Sequence, residues 1–208
     1  MRYRAWRSLV FLLALLPASL WAYQAWVFDL GADPGKALVD RLGLAALSFL
    51  LITLATTPLQ RLTRWGGWVA VRRQLGLWCF TYATLHISGY AIFLLGLDLQ
   101  QLLIDFVKRP YIFVGAVAFL GLLPLALTSN RYSVRRLGRR WKALHRLVYA
   151  ILCLVLLHML WVVRADLGEW AVYAAIGAGL LLLRTPPITA CLSRLHSSSV
   201  ANMTKKFQ

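Results

Sequence analysis

Acidic residues are scarce in this chain. Seven Asp and Glu stand against 23 Lys and Arg in 208 residues. None is expected in a spanning helix, which excludes the carboxylate relays and cation pathways that membrane pumps build. Cysteine is rarer still. Cys79, Cys153 and Cys191 stand alone, with no C-x-x-C-H run and no zinc or iron–sulfur spacing. A G-x-x-x-x-G-K-[ST] loop is also missing, and Gly177-Ala178-Gly179 lies in an apolar stretch, where it reads as helix packing rather than a dinucleotide loop. No nucleophile is patterned with a base. Hydrolytic and nucleotide-dependent chemistry therefore have no foothold.

Apolar residues are abundant. They make up 60% of the chain, at a mean hydropathy of +0.66, outside the range of ordinary soluble domains and typical of a polytopic membrane protein. Apolar stretches cover about 8–27, 38–58, 75–97, 111–128, 143–163 and 170–183. Most approach the roughly 20 residues that cross a bilayer core as helix. The expected fold is all-α, a six-helix transmembrane bundle over residues 1–185, followed by a polar, basic tail at 186–208 that Pro186-Pro187 separate from the last helix. The start of the chain has the basic and apolar regions of a signal peptide and a small-residue PASLWA segment. Its apolar run continues to Trp26, so it reads as a retained first helix.

The formal net charge of +16 is distributed by gap. Arg2, Arg4 and Arg7 begin the chain. Arg61, Arg64, Arg72 and Arg73 follow two crossings, and Arg131, Arg135, Arg136, Arg139, Arg140 and Lys142 follow four. Arg184, Arg194, Lys205 and Lys206 follow six. The alternate gaps hold every acid and only Lys36, Arg41, Lys108, Arg109 and Arg164 as bases. By the positive-inside rule both termini are cytoplasmic. Topology and anionic lipid account for the basic loops, so no nucleic-acid partner is expected. The amphipathic 98–110 gap reads as lying on the opposite membrane surface.

Three histidines stand in the apolar stretches: His86, His145 and His158. An ionisable group in hydrocarbon is costly, and imidazole is a common ligand of haem iron. His145 and His158 are thirteen residues apart in the fifth stretch, about 20 Å along a helix, so they mark two depths. Measured from the basic borders, His86 matches His158 in depth to about 7 Å and His145 only to about 12 Å. The preferred axial pair is therefore His86 and His158. His145 is then the inner ligand of a second haem, an alternative partner, or a supporting group. Trp78, Tyr82, Tyr149 and Trp161 offer aromatic walls, Gly76 and Gly89 thin the third helix, and Arg139, Arg140 and Arg146, with Lys142, are candidates to pair haem propionates. The competing reading of each histidine is a structural hydrogen bond to a neighbouring helix. His196 falls in the polar tail and reads as solvated.

The segments RRQLGLWCFTYATLHISGY, with His86, and RRWKALHRLVYAILCLVLLHMLW, with His145 and His158, resemble the ferric-reductase-like transmembrane family. Within it the chain is most similar to the haem-binding inner-membrane subunits of bacterial methionine sulfoxide reductase systems. That resemblance implies b-type haem (one or two), bound FMN, and electrons drawn from the membrane quinol pool. It also implies delivery to a periplasmic molybdopterin-containing subunit that repairs oxidised proteins and carries out the sulfoxide reduction itself. The chain departs from larger ferric reductases and NADPH oxidases in having one histidine, not two, in its third helix, and in lacking their flavin and nicotinamide domains. No motif assigns the FMN contacts. Other functions compatible with the residues are a transport or assembly protein with structural histidines and a direct ferric-chelate reductase.

Overall fold

Within a bilayer every backbone N–H and C=O must be paired inside the protein, and apolar stretches of this length satisfy that only as helices. In the computed structural model, which describes residues 3–163 and 167–184, the secondary structure is helical, with no strand among the described residues. Helix α1 is Arg4–Trp26, α2 is Pro34–Thr63 and α3 is Gly67–Gly89, which continues into a π-helical segment, Tyr90–Leu94. Helix α4 is Leu99–Lys108 and α5 is Pro110–Leu127. The short α6 (Arg131–Leu137) and α7 (Arg139–His145) lead to α8 (Leu147–Val162) and α9 (Leu167–Leu182).

Five helical stretches are long and apolar enough to cross a membrane: α1, α2, Gly67–Leu94, α5 and Arg139–Val162. Helix α9 has 16 residues, about 24 Å, short of a core about 30 Å thick. It is held to α8 by the Trp170 indole N–H on the Leu156 carbonyl at 2.9 Å.

The bundle is built on two intimate pairs, α2 with α3 and α5 with α8. Leu47, Leu50, Leu51 and Leu54 of α2 meet Cys79, Ala118, Leu122, Leu125, Ile151, Leu152 and Met159 in one buried core. Helix α1 is fastened to α3 from outside. The Trp6 indole donates to the Gly67 carbonyl at 3.1 Å, and the Tyr82 hydroxyl donates to the Ala14 carbonyl at 2.7 Å.

Several sequence expectations change here. Spanning helix is not free of acids, since Asp40 lies in the second turn of α2, paired with Lys36. The fifth stretch is not one helix. It breaks at Arg146, where Arg146 and Tyr149 bond three residues back, to Ala143 and Arg146. The basic 60–73 gap is mostly helix end, with Arg64 as a left-handed cap at φ 55°. The tail at 186–208, with Cys191 and His196, lies outside the described residues.

Helix α4 shows the largest surprise. Asp98 caps it, accepting from the Gln100 and Gln101 amides at 2.8 and 3.0 Å. Leu99, Leu103 and Val107 are exposed on one side, while Asp105 is 3% exposed on the other. The Asp105 carboxylate accepts from the Tyr90 hydroxyl at 2.6 Å and the Gln101 amide at 2.9 Å, with the Arg109 guanidinium 3.4 Å away. The Tyr90 bond holds this carboxyl below its ordinary range, against the opposing effect of burial, with Gln101 and Arg109 adding to it. A depressed folded pKa contributes stability that is present above the unfolded value, about 4, and is lost as pH falls through the lower folded value. Asp105→Asn should therefore cost roughly 1 kcal/mol at neutral pH, read from thermal unfolding in detergent. The gap between wild type and variant should begin to close below about pH 4 and vanish only beneath the lower folded value; a gap that does not shrink with acid would refute the assignment.

Candidate functional site

His86 on α3 and His158 on α8 meet between the two helix pairs. Their ring centres are 6.3 Å apart and their planes nearly perpendicular, at 87°. Each ring is held from behind in the same way. His86 Nδ1 lies 2.8 Å from the Val39 carbonyl of α2, and His158 Nδ1 lies 2.6 Å from the Tyr111 carbonyl of α5. A carbonyl oxygen only accepts, so each Nδ1 carries the proton and the neutral ring presents a lone pair at Nε2. That is the tautomer a metal requires, and such a backbone bond also raises the basicity of the ligating nitrogen.

The approach depends on two glycines. A Cβ at Gly43 would stand 3.0 Å from Nδ1 and Cε1 of His86; at Gly115 it would stand 2.8 Å from Nδ1 of His158. Gly43 is four residues beyond Val39, and Gly115 is four beyond Tyr111. Both histidines follow their carbonyl partner by 47 residues. The α2/α3 pair and the α5/α8 pair thus repeat one device, a carbonyl with a glycine a turn later that lets an imidazole lie flat against the helix.

Two imidazoles bound through Nε2 to opposite sides of one metal ion would have ring centres about 6 Å apart, given metal–nitrogen bonds of about 2 Å. The observed separation fits. Among the described residues no group of three or more His, Cys, Asp or Glu gathers, so a bare four-ligand ion has no site there. A pair of trans imidazoles suits a metal whose remaining positions are filled by a macrocycle.

His145 is not brought to this pair. It ends α7, stacks on Trp141 at 3.9 Å between ring centres, and has Nδ1 3.1 Å from the Trp141 carbonyl. Its Nε2 is buried, and the ring also interacts with the Leu125 backbone. Arg139, Arg140 and Arg146 are exposed at that same end. Arg146 precedes His158 by twelve residues, about 18 Å along α8, so these arginines serve the His145 end and not the His86–His158 pair.

The aromatic walls also resolve differently. Tyr82 is fully buried and stacks on Phe49, and Trp78 packs on Phe11 and Tyr82, so both hold α1 to the bundle. Tyr149 is engaged by Arg184. Gly89 packs against Val39 and Gly76 meets only Thr53, so neither fronts a histidine. Sequence reasoning missed Gly43 and Gly115. The available signal was a glycine inside an apolar helix, which usually has a packing reason.

Two comparisons with known proteins bear on this site. The family described as "ferric reductase like transmembrane component" matches residues 41–156, a span that contains both cradle glycines, His86 and His145 and stops two residues before His158. A relative from Xanthomonas oryzae pv. oryzae (strain MAFF 311018), the "Protein-methionine-sulfoxide reductase heme-binding subunit MsrQ", is 45% identical over 185 residues, 84% of this chain and 83% of the relative.

The cradles yield a direct test. Gly115→Ala should destabilise the protein by about 1–3 kcal/mol through overpacking against His158. Gly179→Ala, with nothing within 4 Å of its added Cβ, should be neutral or slightly stabilising. Thermal unfolding of the two variants in one detergent decides; equal melting temperatures would remove the cradle role.

Proposed function

The chain belongs to the ferric reductase like transmembrane family, and from that footing we propose that it is a haem-binding electron-transfer subunit of a methionine sulfoxide reductase system. One observation carries the reading. The two imidazoles are both fixed as Nδ1–H tautomers by backbone carbonyls, with ring centres 6.3 Å apart. His86 and His158 would hold a b-type haem between α3 and α8, and haem supplies a one-electron couple there. Val39 and Tyr111 engage Nδ1 of both rings, leaving each Nε2 to serve as ligand, and Gly43 and Gly115 let the rings lie against the helices. With both imidazoles committed to the haem, the pair would leave no place there for substrate, and the chain would act as a carrier. Sulfoxide reduction belongs to a partner, read here as a periplasmic molybdopterin-containing subunit.

The topological reading is six crossings in a bacterial inner membrane, with α9 as the sixth and residues 1–185 as the membrane domain. Both termini and the tail at 186–208 are then cytoplasmic. The alternation of basic and acidic gaps supports it, and the buried bonding of α9 to α8 lets a short helix sit among neighbours. The His86–His158 pair lies toward the end bearing α4 and the described acids, read here as the periplasmic side, from which electrons would leave. His145 lies toward the opposite end, where membrane quinol or bound FMN would deliver them. A second haem on His145 would use its Nε2, since Nδ1 is turned to the Trp141 carbonyl.

Protein purified in detergent should show the absorption bands of reduced b-type haem, confirmed by pyridine haemochrome. His86→Ala and His158→Ala should each remove most of the chromophore. A colourless preparation from iron-replete cells would return the histidines to structural roles, and full haem in both variants would move the ligands elsewhere. Iron-reductase activity without a periplasmic partner would favour direct ferric-chelate reduction.

A further inference from the structure

The end of the bundle opposite the histidine pair carries positive charge that no carboxylate among the described residues neutralises. Arg184, two residues past α9, reaches back across the helices. One of its nitrogens donates to the Tyr149 hydroxyl at 2.8 Å and the other terminal nitrogen to the Leu54 carbonyl. Its guanidinium carbon lies 5.5 Å from the centre of the Tyr149 ring. The N–H at Nε is buried without a partner among the described residues. Arg72, in the second turn of α3 and exposed, interacts electrostatically with Arg184, Tyr149 and His145.

No carboxylate side chain shares this end. The described acids fall within 29–40 and 98–105 and at Glu169, the turns and helix ends at the other side, and no acidic side chain follows Glu169. A guanidinium cannot shed its proton, so it cannot escape charge by neutralising itself. An arginine drawn into the bundle without an acid is costly unless an anion from outside completes it. Arginine's planar donor fork matches phosphate oxygens, and aromatic stacking presents that fork in one orientation. Tyr149, which accepts from Arg184, keeps its own hydroxyl proton to give.

We propose that Arg184, Arg72 and Tyr149, with His145 beside them, form a receptor for the phosphate group of a ligand seated in this end of the bundle. The phosphate is that of a flavin mononucleotide or of a membrane phospholipid headgroup, and the two sources share one chemistry. This deepens the electron-transfer reading by naming where a flavin would be held. It stands on different residues from the haem pair, and haem is measured separately.

The full-length protein, purified with its haem, is compared with Arg184→Gln, Arg184→Lys and Arg72→Gln. A flavin source predicts that Arg184→Gln and Arg72→Gln each weaken FMN binding at least about ten-fold. Lysine recovers part of the loss, and riboflavin, lacking the phosphate, does not distinguish the proteins. A lipid source predicts unchanged FMN binding and loss of co-purifying phosphatidylglycerol by native mass spectrometry. Equal retention of both ligands in every variant overturns the proposal. So does a fall in haem content with both ligands unchanged, which would hand the arginines to a propionate. Should a glutamine variant fail to fold, wild type alone decides by thermal shift. FMN must stabilise it more than riboflavin, or phosphatidylglycerol nanodiscs more than phosphatidylcholine ones. No difference in either pair overturns the proposal.

Discussion

The site depends on a hydrogen bond between an imidazole and a backbone carbonyl, made twice. Left alone, a neutral histidine in hydrocarbon has two tautomers and a freely turning ring. Bound through Nδ1 to Val39 or Tyr111, it has one tautomer and one orientation. The carbonyls belong to helices α2 and α5, and each would ordinarily be shielded by the side chain one turn later. Glycine at 43 and 115 removes that shield. Helix identity, glycine placement and histidine depth are thus one constraint seen at three levels, and a change in any of them is felt by the other two.

The rest of the bundle positions these bonds. Two pairs of helices carry one cradle each, and the leucine core around Leu47, Leu51, Leu54, Leu122 and Leu152 sets the distance between the pairs. At the acid-bearing end, Tyr90 follows His86 by one turn and holds Asp105. Arg109 pairs with Asp105 and stands two residues before the carbonyl that takes His158. Helix α4 therefore touches both sides of the site while lying outside it. Tyr90 is also the residue at which α3 passes into its π-helical turn, Tyr90–Leu94.

Much of this was legible in the sequence because it follows from solvent. Apolar length gave the helices. Residue counts from the basic borders ranked His86 with His158, the two rings that the structure brings within 6.3 Å. What the sequence hid are features that exist only where two helices touch. Gly43 and Gly115 look like any membrane glycine until an imidazole lies on them. Asp105 looks like a surface acid until Tyr90 reaches it. The break at Arg146 was masked by an unbroken apolar run, and the aromatic residues near His86 turned out to serve α1. Arg184 read as one more basic border residue, although it reaches inward to Leu54 and Tyr149.

The repeated spacing of 47 residues has a consequence for biogenesis. Each half of the chain emerges from the ribosome with its own complete jaw, the first finished with α3 and the second with α8. Neither jaw needs the other to acquire its tautomer or its stance. A ligand that requires both must wait until the second half has been inserted and has come to rest against the first. Maturation is then a late clasp between two leaves, which meet through α3 and α5 and through the shared leucine core.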